Sequence, residues 1–317
     1  MKKPLVVLTG PTAVGKTDLS IQLAKRINGA ILSADSMQVY KYMDIGSAKV
    51  RPEEMQGIKH YLVDEFMPDE EFHVVRFQEY AKRYLENIYR QGQIPIVVGG
   101  TGFYIQALLY DIDFTEQACD FQYRKQLEAL AQEKGSGYLH QLLMRRDPKA
   151  AEQIHPNNTK RIIRALEFYE ESGGSLISEH NERERQKESP YQFAYFVLTD
   201  DRATLYQRID ARVDAMLSAG LIEEVRQLAG RGYTKDMVSM QGLGYKEILR
   251  YLEDELTLDE AVYIIKRDTR HFAKRQLTWF KRERDVIWLD KREFDEDNNR
   301  ILDSMLETLK NKNIICS

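Results

Sequence analysis

Cysteine is nearly missing from this 317-residue chain: Cys119 and Cys316 are the only two, far apart in sequence. That excludes a disulfide framework and a cysteine zinc cluster. No stretch approaches the ~18 consecutive apolar residues of a membrane helix, so no membrane partner is expected. Met1-Lys2-Lys3-Pro4 runs straight into an apolar segment and leaves no room for a secretory leader, which makes the cytoplasm the expected compartment. Internal repeats and low-complexity tracts are missing too. So is any large excess of one charge. The formal net charge of −4 argues against general affinity for nucleic acid, although a local basic surface would still serve, because binding follows where charge sits. What remains is 43% apolar and 30% charged residues, the composition of an ordinary globular protein. The length exceeds what one hydrophobic core usually organises, so two domains are expected.

The most informative stretch is Gly10-Pro11-Thr12-Ala13-Val14-Gly15-Lys16-Thr17. It follows the apolar run Leu5-Val6-Val7-Leu8 and precedes Asp18–Ala24, which has helical spacing. Strand, glycine loop and helix together turn the pattern G-x-x-x-x-G-K-S/T into a phosphate cradle. The glycines let successive N–H groups point inward, and the helix start adds its positive dipole end. Lys16 would set its ammonium on phosphoryl oxygens, and Thr17 its hydroxyl on a Mg²⁺ ion.

Two further strand ends carry polar residues. Ala30–Ala34 reads as a strand that stops at Asp35-Ser36-Met37-Gln38-Val39-Tyr40. Asp35 either caps a helix beginning at Ser36 or acts on a substrate or metal at the edge of the sheet. Ile94–Val98 reads as a strand buried on both faces and stops at Gly99-Gly100-Thr101-Gly102. Thr101 is either a plain helix N-cap or a third functional side chain at the edge that bears Lys16 and Asp35. A surface helix is expected over residues 72–90. From about Thr115 strand-like runs vanish, and helices are expected over 122–134, 138–145 and 160–168, the last capped by Asn157-Asn158-Thr159. The charged run 179–188 reads as a solvated connection, and strand character resumes at Phe193–Leu198. The expected architecture is α/β: a P-loop NTPase-like parallel sheet core flanked by helices, residues 1–114 and 192–317, with an inserted all-helical domain over 115–191.

The last third reads as helical, with a closing strand at Val286–Leu289. In the long helix 258–281, Ile265, Phe272 and Trp279 repeat as the expected core face, while Arg267, Arg270, Lys274 and Lys281 line another. That second face is either simply solvated or a contact for a polyanion.

Several blocks occur in a fixed order: the P-loop, Asp35-Ser36-x-Gln38-x-Tyr40, Asp44-Ile45-Gly46-x-Ala48-Lys49 and Gly99-Gly100-Thr101-Gly102-x-Tyr104. After them come Arg161-x-x-Arg164-Ala165-Leu166-Glu167, Gln241-Gly242-x-Gly244-Tyr245-Lys246-Glu247 and Thr269-Arg270-x-x-Ala273-Lys274-Arg275-Gln276-x-Thr278-Trp279. Taken together they resemble the bacterial tRNA dimethylallyltransferases over roughly residues 4–282. Met37 and Ser47 depart from the family's usual residues, and the zinc-finger extension of eukaryotic relatives is missing, as the cysteine count requires.

The resemblance implies transfer of a dimethylallyl group from dimethylallyl diphosphate to the exocyclic N6 of the adenosine 3′ of the anticodon. The P-loop would then hold a departing diphosphate instead of ATP, with Thr12 and Thr101 adding hydroxyls and Mg²⁺ on Thr17. Asp35 would be the base, with Lys16 and Thr101 assisting. The resemblance places Asp35, Ser36, Met37, Gln38 and Thr101 against the flipped base of the tRNA. It assigns Arg124, Thr159, Lys160, Arg161, Ile162, Ile163 and Arg164 to the anticodon stem-loop, and Gly242, Tyr245, Arg270, Lys274 and Arg275 to further RNA. A monomer is expected. The competing readings are an adenylate isopentenyltransferase, a P-loop kinase acting on a free nucleotide, and an RNA-binding NTPase. A free nucleotide needs no helical clamp, which argues against the first two.

Overall fold

The computed structural model describes residues 2–114 and 121–316. Cys119 and the expected insertion boundary at 115 lie outside them. The chain divides into two compact units, Met1–Leu109 with Pro190–Ser317, and Tyr110–Ser189.

The first unit is built on strands β1 (Lys3–Thr9), β2 (Gly29–Ser33), β3 (His60–Tyr61), β4 (Ile94–Gly99), β5 (Tyr191–Thr199) and β6 (Val286–Asp290). They form one six-stranded sheet in the order β3-β2-β4-β1-β5-β6, and every pairing is parallel. Leu5, Val6, Val7 and Leu8 of β1 have no exposed surface, as the central strand of a sheet covered on both faces requires. Each such burial is worth about 1.5–3 kcal/mol. Helix α1 (Lys16–Ile27) connects β1 to β2, α2 (Val74–Arg90) connects β3 to β4, and α3 (Gly102–Leu109) follows β4. Register decides what happens next. Thr9 pairs with both Gly99 and Val197, and Ser33 pairs with Val98, so β1, β2, β4 and β5 end at one level. The loops after β1, β2 and β4 therefore emerge at one carboxyl edge, the ligand-binding side of an open α/β sheet.

Helices α4 (Phe121–Lys134), α5 (Ser136–Arg146), α6 (Pro148–Gln153), α7 (Thr159–Glu171) and α8 (Ile177–Gln186) make the second unit. Its core gathers Leu127, Leu139, Leu143, Ile162, Ile163 and Leu166. The expected loose connection at 179–188 is instead helical, because tertiary anchors outweigh its charged composition. Buried Asp147 accepts bonds from Ser178 N (3.0 Å) and Ser178 Oγ (2.7 Å), and buried His180 packs on Phe168 at 5.0 Å. Helix α6 in this unit and the edge strand β3 in the other escape sequence reading.

The chain returns to the first unit with α9 (Arg202–Ser218), α10 (Leu221–Gly230), α11 (Tyr245–Leu252), α12 (Leu258–Phe280) and α13 (Asn298–Asn311). The core face of α12 is Ala261, Ile265, Ala273, Gln276 and Phe280. It includes Ile265 but leaves Phe272 and Trp279 half-buried, since those two border hollows on the surface. Helix α13, another element not expected from the sequence, adds Ile301, Leu302, Met305 and Leu309 to the sheet core. No helix among the described residues is long and apolar enough to cross a membrane.

Candidate active site

The loop from Gly10 to Thr17 leaves β1 and closes at the first turn of α1, where Gly15 caps the helix with φ of 99°. A side chain there would be strained, so glycine is required for the loop to fold back over the helix start. Helix α12 holds this loop from the far end of the chain. Gln276 Oε1 accepts the Thr12 N–H at 2.9 Å, and Gln276 Nε2 donates to the Gly100 carbonyl at 3.0 Å. One buried amide thus staples the cradle to the turn after β4.

A cleft of about 780 Å³ opens beside the cradle, and Lys16, Thr17, Asp35, Gln38 and Arg212 all line it. Lys16 Nζ donates to the carbonyls of Gly10 (3.0 Å) and Pro11 (2.7 Å). Burial lowers its pKa to about 7; the nearby Arg212 charge adds to the shift and the Asp35 carboxylate opposes it. Burial likewise lowers Arg212, again against the pull of Asp35. Arg212 forms no ion pair among the described residues, so two desolvated cations and one carboxylate face the same space. Such an arrangement has an unmet demand for anionic oxygen. Sequence reading missed Arg212, because it occupies an unremarkable position of an ordinary amphipathic helix. Its only sequence signal is a basic residue that α9 spacing places one turn from the core residue Ile209.

Asp35 stands two residues past the end of β2. No helix starts at Ser36; instead Asp35 Oδ1 accepts the N–H groups of Met37 (2.8 Å) and Gln38 (3.3 Å) and closes a turn. The helix-cap alternative is thereby replaced by a turn cap on one oxygen, and Oδ2 takes no hydrogen bond among the described residues. Gln38 Nε2 donates to the carbonyls of Ser47 (3.4 Å) and Ala48 (3.2 Å). Thr101 stands just before α3, its N–H bonded to Ala34 O at 3.2 Å and its carbonyl to Tyr104 N at 3.0 Å. Its hydroxyl caps nothing among the described residues, and Thr101 lies beside the cleft lining instead of within it. Thr17 is exposed at the first turn of α1. No group of three or more His, Cys, Asp or Glu residues placed to hold a metal ion occurs among the described residues. A lone hydroxyl suits a hard divalent cation that brings phosphate and water oxygens with it, as opposed to one caged by protein.

The remaining assignments divide. In the second unit Lys160 and Arg161 are exposed, and Thr159 opens α7 behind its cap Asn158. Arg124 makes a two-pronged pair with the fully buried Glu167 (2.7 and 2.8 Å), and Arg164 approaches the same carboxylate at 3.7 Å. Ile162 and Ile163 are corrected: they are core residues, 0% and 5% exposed, on the face of α7 opposite solvent. In the first unit Lys274 and Arg275 are exposed and border a hollow of about 370 Å³ with Trp279. Arg270 is pinned to Asp210 of α9 at 2.5 Å and braces two helices. Tyr245 is corrected as well, being 1% exposed with its hydroxyl already satisfied, and Gly242 packs on Met37.

A parallel sheet with a glycine cradle at its carboxyl edge, cations turned into the adjoining cleft and a carboxylate opposite defines a P-loop-type transferase core. The model of a known family, IPP transferase, matches residues 38–283. The chain is 63% identical to the tRNA dimethylallyltransferase of Lachnoclostridium phytofermentans, over 99% of each chain. It is 50% identical to that of Clostridioides difficile, over 98% of this chain and 100% of the relative. Among solved structures, the tRNA isopentenylpyrophosphate transferase of Bacillus halodurans superposes with a TM-score of 0.74 at 43% identity, covering 98% of both chains. A eukaryotic dimethylallyltransferase acting on tRNA gives 0.77 at 32% identity, over 91% of this chain and 74% of that one. This chain belongs to the IPP transferase family.

Proposed function

We propose that this protein is a tRNA prenyltransferase. It moves a dimethylallyl group from dimethylallyl diphosphate to N6 of the adenosine 3′ of the anticodon and releases diphosphate. The observation that carries this reading is the cleft in which Lys16, Arg212 and Asp35 face one another beside the cradle. The relatives named for this activity along the whole chain support it over a nucleotide kinase.

Breaking the allylic C–O bond leaves the electron pair, and growing negative charge, on diphosphate. N–H groups of residues 13–17, Lys16 and Arg212 meet that charge where it develops, which is where preorganised donors lower a barrier most. On binding, the Lys16 ammonium exchanges the Gly10 and Pro11 carbonyls for phosphoryl oxygens. Mg²⁺, held by Thr17, would supply further charge neutralisation to the diphosphate. As the new N–C bond forms, the adenine N6 gives up a proton to Asp35 Oδ2, while Oδ1 stays anchored on the 37–38 amides. General-base assistance of this kind is worth about 10²–10⁴-fold.

An amine inside a stacked anticodon loop is out of reach, so the base is flipped into the cleft, where Ser36, Met37 and Gln38 flank it. Thr101 contributes its hydroxyl at the cleft margin. Lys160, Arg161, Arg164 and Arg124 of the helical unit engage the anticodon stem-loop backbone, as do Lys274 and Arg275 on α12. Backbone contacts and splayed bases are how RNA loops are held.

The test is the identity of the acceptor. Protein, Mg²⁺ and dimethylallyl diphosphate labelled in the prenyl group are incubated with unmodified tRNA or with AMP, and the tRNA is digested to nucleosides. Label on N6 of a single adenosine is expected. Label on AMP alone would move the assignment to a free-nucleotide enzyme.

A further inference from the structure

The block Gln241–Glu247 packs through Gly242 and Tyr245 against two loops of the cleft. A Cβ on Gly242 would lie 2.4 Å from Met37 Cε, and one on Gly46 would lie 2.5 Å from the Tyr245 ring. The rigid Tyr245 ring leaves room only for glycine at position 46, whereas the flexible end of Met37 could shift from a side chain at 242. The second contact is extended by hydrogen bonds. Glu224, from α10, accepts three consecutive backbone N–H groups with its carboxylate: Asp44 (2.9 Å), Ile45 (2.7 Å) and Gly46 (3.0 Å). Converging amides of this kind make an anion-binding concavity, here filled from within the protein. The buried Tyr245 hydroxyl donates to Glu224 Oε1 at 2.8 Å and accepts the next amide, Ser47 N–H, at 3.1 Å. Four successive amides of one loop are thus claimed by two side chains from α10 and α11. At its far end the loop is tied by the buried Lys49 ammonium, which reaches Tyr40 O (2.7 Å) and the carboxylates of Asp44 and Asp64 (2.5 Å each).

This fixing has a consequence inside the cleft. The carbonyls of Ser47 and Ala48 are the acceptors that hold Gln38 Nε2, and the Gln38 N–H in turn holds Asp35 Oδ1. We infer that Glu224 and Tyr245 are positioning residues: together they lock the 44–48 loop so that its carbonyls aim Gln38, and through it the Asp35 turn, at the acceptor base. Neither touches the substrate. Burial, reinforced by the Glu224 charge, raises the Tyr245 pKa well above its ordinary value, so the phenol stays a donor throughout the working range. The inference rests on the proposed transfer to adenosine, because it gives the aim of Gln38 its purpose.

The experiment compares wild type, Tyr245→Phe, Glu224→Gln, Glu224→Ala and the double variant Glu224→Ala/Tyr245→Phe, using the whole protein with dimethylallyl diphosphate and unmodified tRNA. Tyr245→Phe keeps the buried ring on Gly46 and removes only the hydroxyl, so it separates aim from core packing. We expect kcat to fall about 10-fold in Tyr245→Phe and about 100-fold in Glu224→Ala, the scale set by ångström-level misplacement. Glu224→Gln, which keeps one accepting oxygen, should fall between wild type and Glu224→Ala. Because the pair acts through one loop, the double variant should lose less than the product of the singles. The Kd for inorganic diphosphate and for tRNA should stay within twofold. Unchanged kcat in Tyr245→Phe and Glu224→Ala overturns the inference. So does a rise in tRNA Kd at unchanged kcat, which would make the block an RNA contact. A rise in diphosphate Kd matching the loss of rate overturns it too. If wild type itself fails to label tRNA, it is the proposed function that falls.

Discussion

The sheet unit and the helical unit both gather cations, and they keep them in opposite states. In the sheet unit Lys16 is half-buried, resting on two carbonyls, with its pKa lowered to about 7 by burial, and Arg212 nearby has no ion-pair partner among the described residues. In the helical unit Arg124 already has its carboxylate, the fully buried Glu167, while Lys160 and Arg161 stand in water. A desolvated cation without a partner is costly, and the incoming anion repays that cost in a few strong, directional contacts. A hydrated or prepaired cation costs little and returns little, and its contribution is screened by salt. Under the proposed function, the sheet unit suits one tightly defined group and the helical unit a diffuse polyanion.

Asp35→Asn should leave binding of both substrates within a few-fold and lower kcat by about 10²–10⁴-fold, measured by single-turnover transfer; weak binding with normal turnover would remove the base role. Next, Lys16→Ala and Arg212→Gln should each weaken inorganic diphosphate about 10- to 100-fold by calorimetry, the scale of a charged hydrogen bond in an enclosed site. If Arg212→Gln binds as well as wild type, the cleft does not hold the diphosphate as described. In the helical unit the expected loss is in stability, not in ligand binding. Glu167→Gln should cost about 1–3 kcal/mol of stability in thermal or denaturant unfolding, because the buried anchor of Arg124 is lost, and should leave diphosphate binding untouched. The smallest effect is expected for Lys160→Ala and Arg161→Ala. Each should raise KM for tRNA a few-fold at low salt and reduce the slope of log K against log salt by about one. An unchanged slope would mean that these side chains meet no phosphate.

The legible parts of this molecule are those whose information is local. The cradle is a contiguous pattern between a strand and a helix. The carboxyl-edge location of Asp35 and Thr101 follows from apolar runs that end in polar turns, given a parallel sheet. Helices α4, α5 and α7 follow from spacing and caps. What escaped depends on distant parts of the chain. Arg212 becomes notable only when α9 is laid beside the sheet, and Gln276 only when α12 reaches back to Thr12 and Gly100. Tyr245 and Gly242, read from their block as RNA contacts, are buried because Gly46 and Met37 occupy the space in front of them. Ile162 and Ile163 share a motif with exposed arginines, and a helix sends neighbours in sequence to different faces. The charged α8 is helical for the sake of Asp147 and His180, two residues that composition does not weigh.

The central claim is that the cradle gives up a diphosphate while carbon, not phosphorus, is transferred. It is tested most directly with dimethylallyl diphosphate carrying one label on the prenyl C1 and another on the β-phosphorus, in a single turnover with Mg²⁺ and unmodified tRNA. The account predicts the carbon label on tRNA and the phosphorus label in free, unsplit diphosphate, in equal amounts. Phosphorus label on tRNA, or its release as monophosphate, would contradict it.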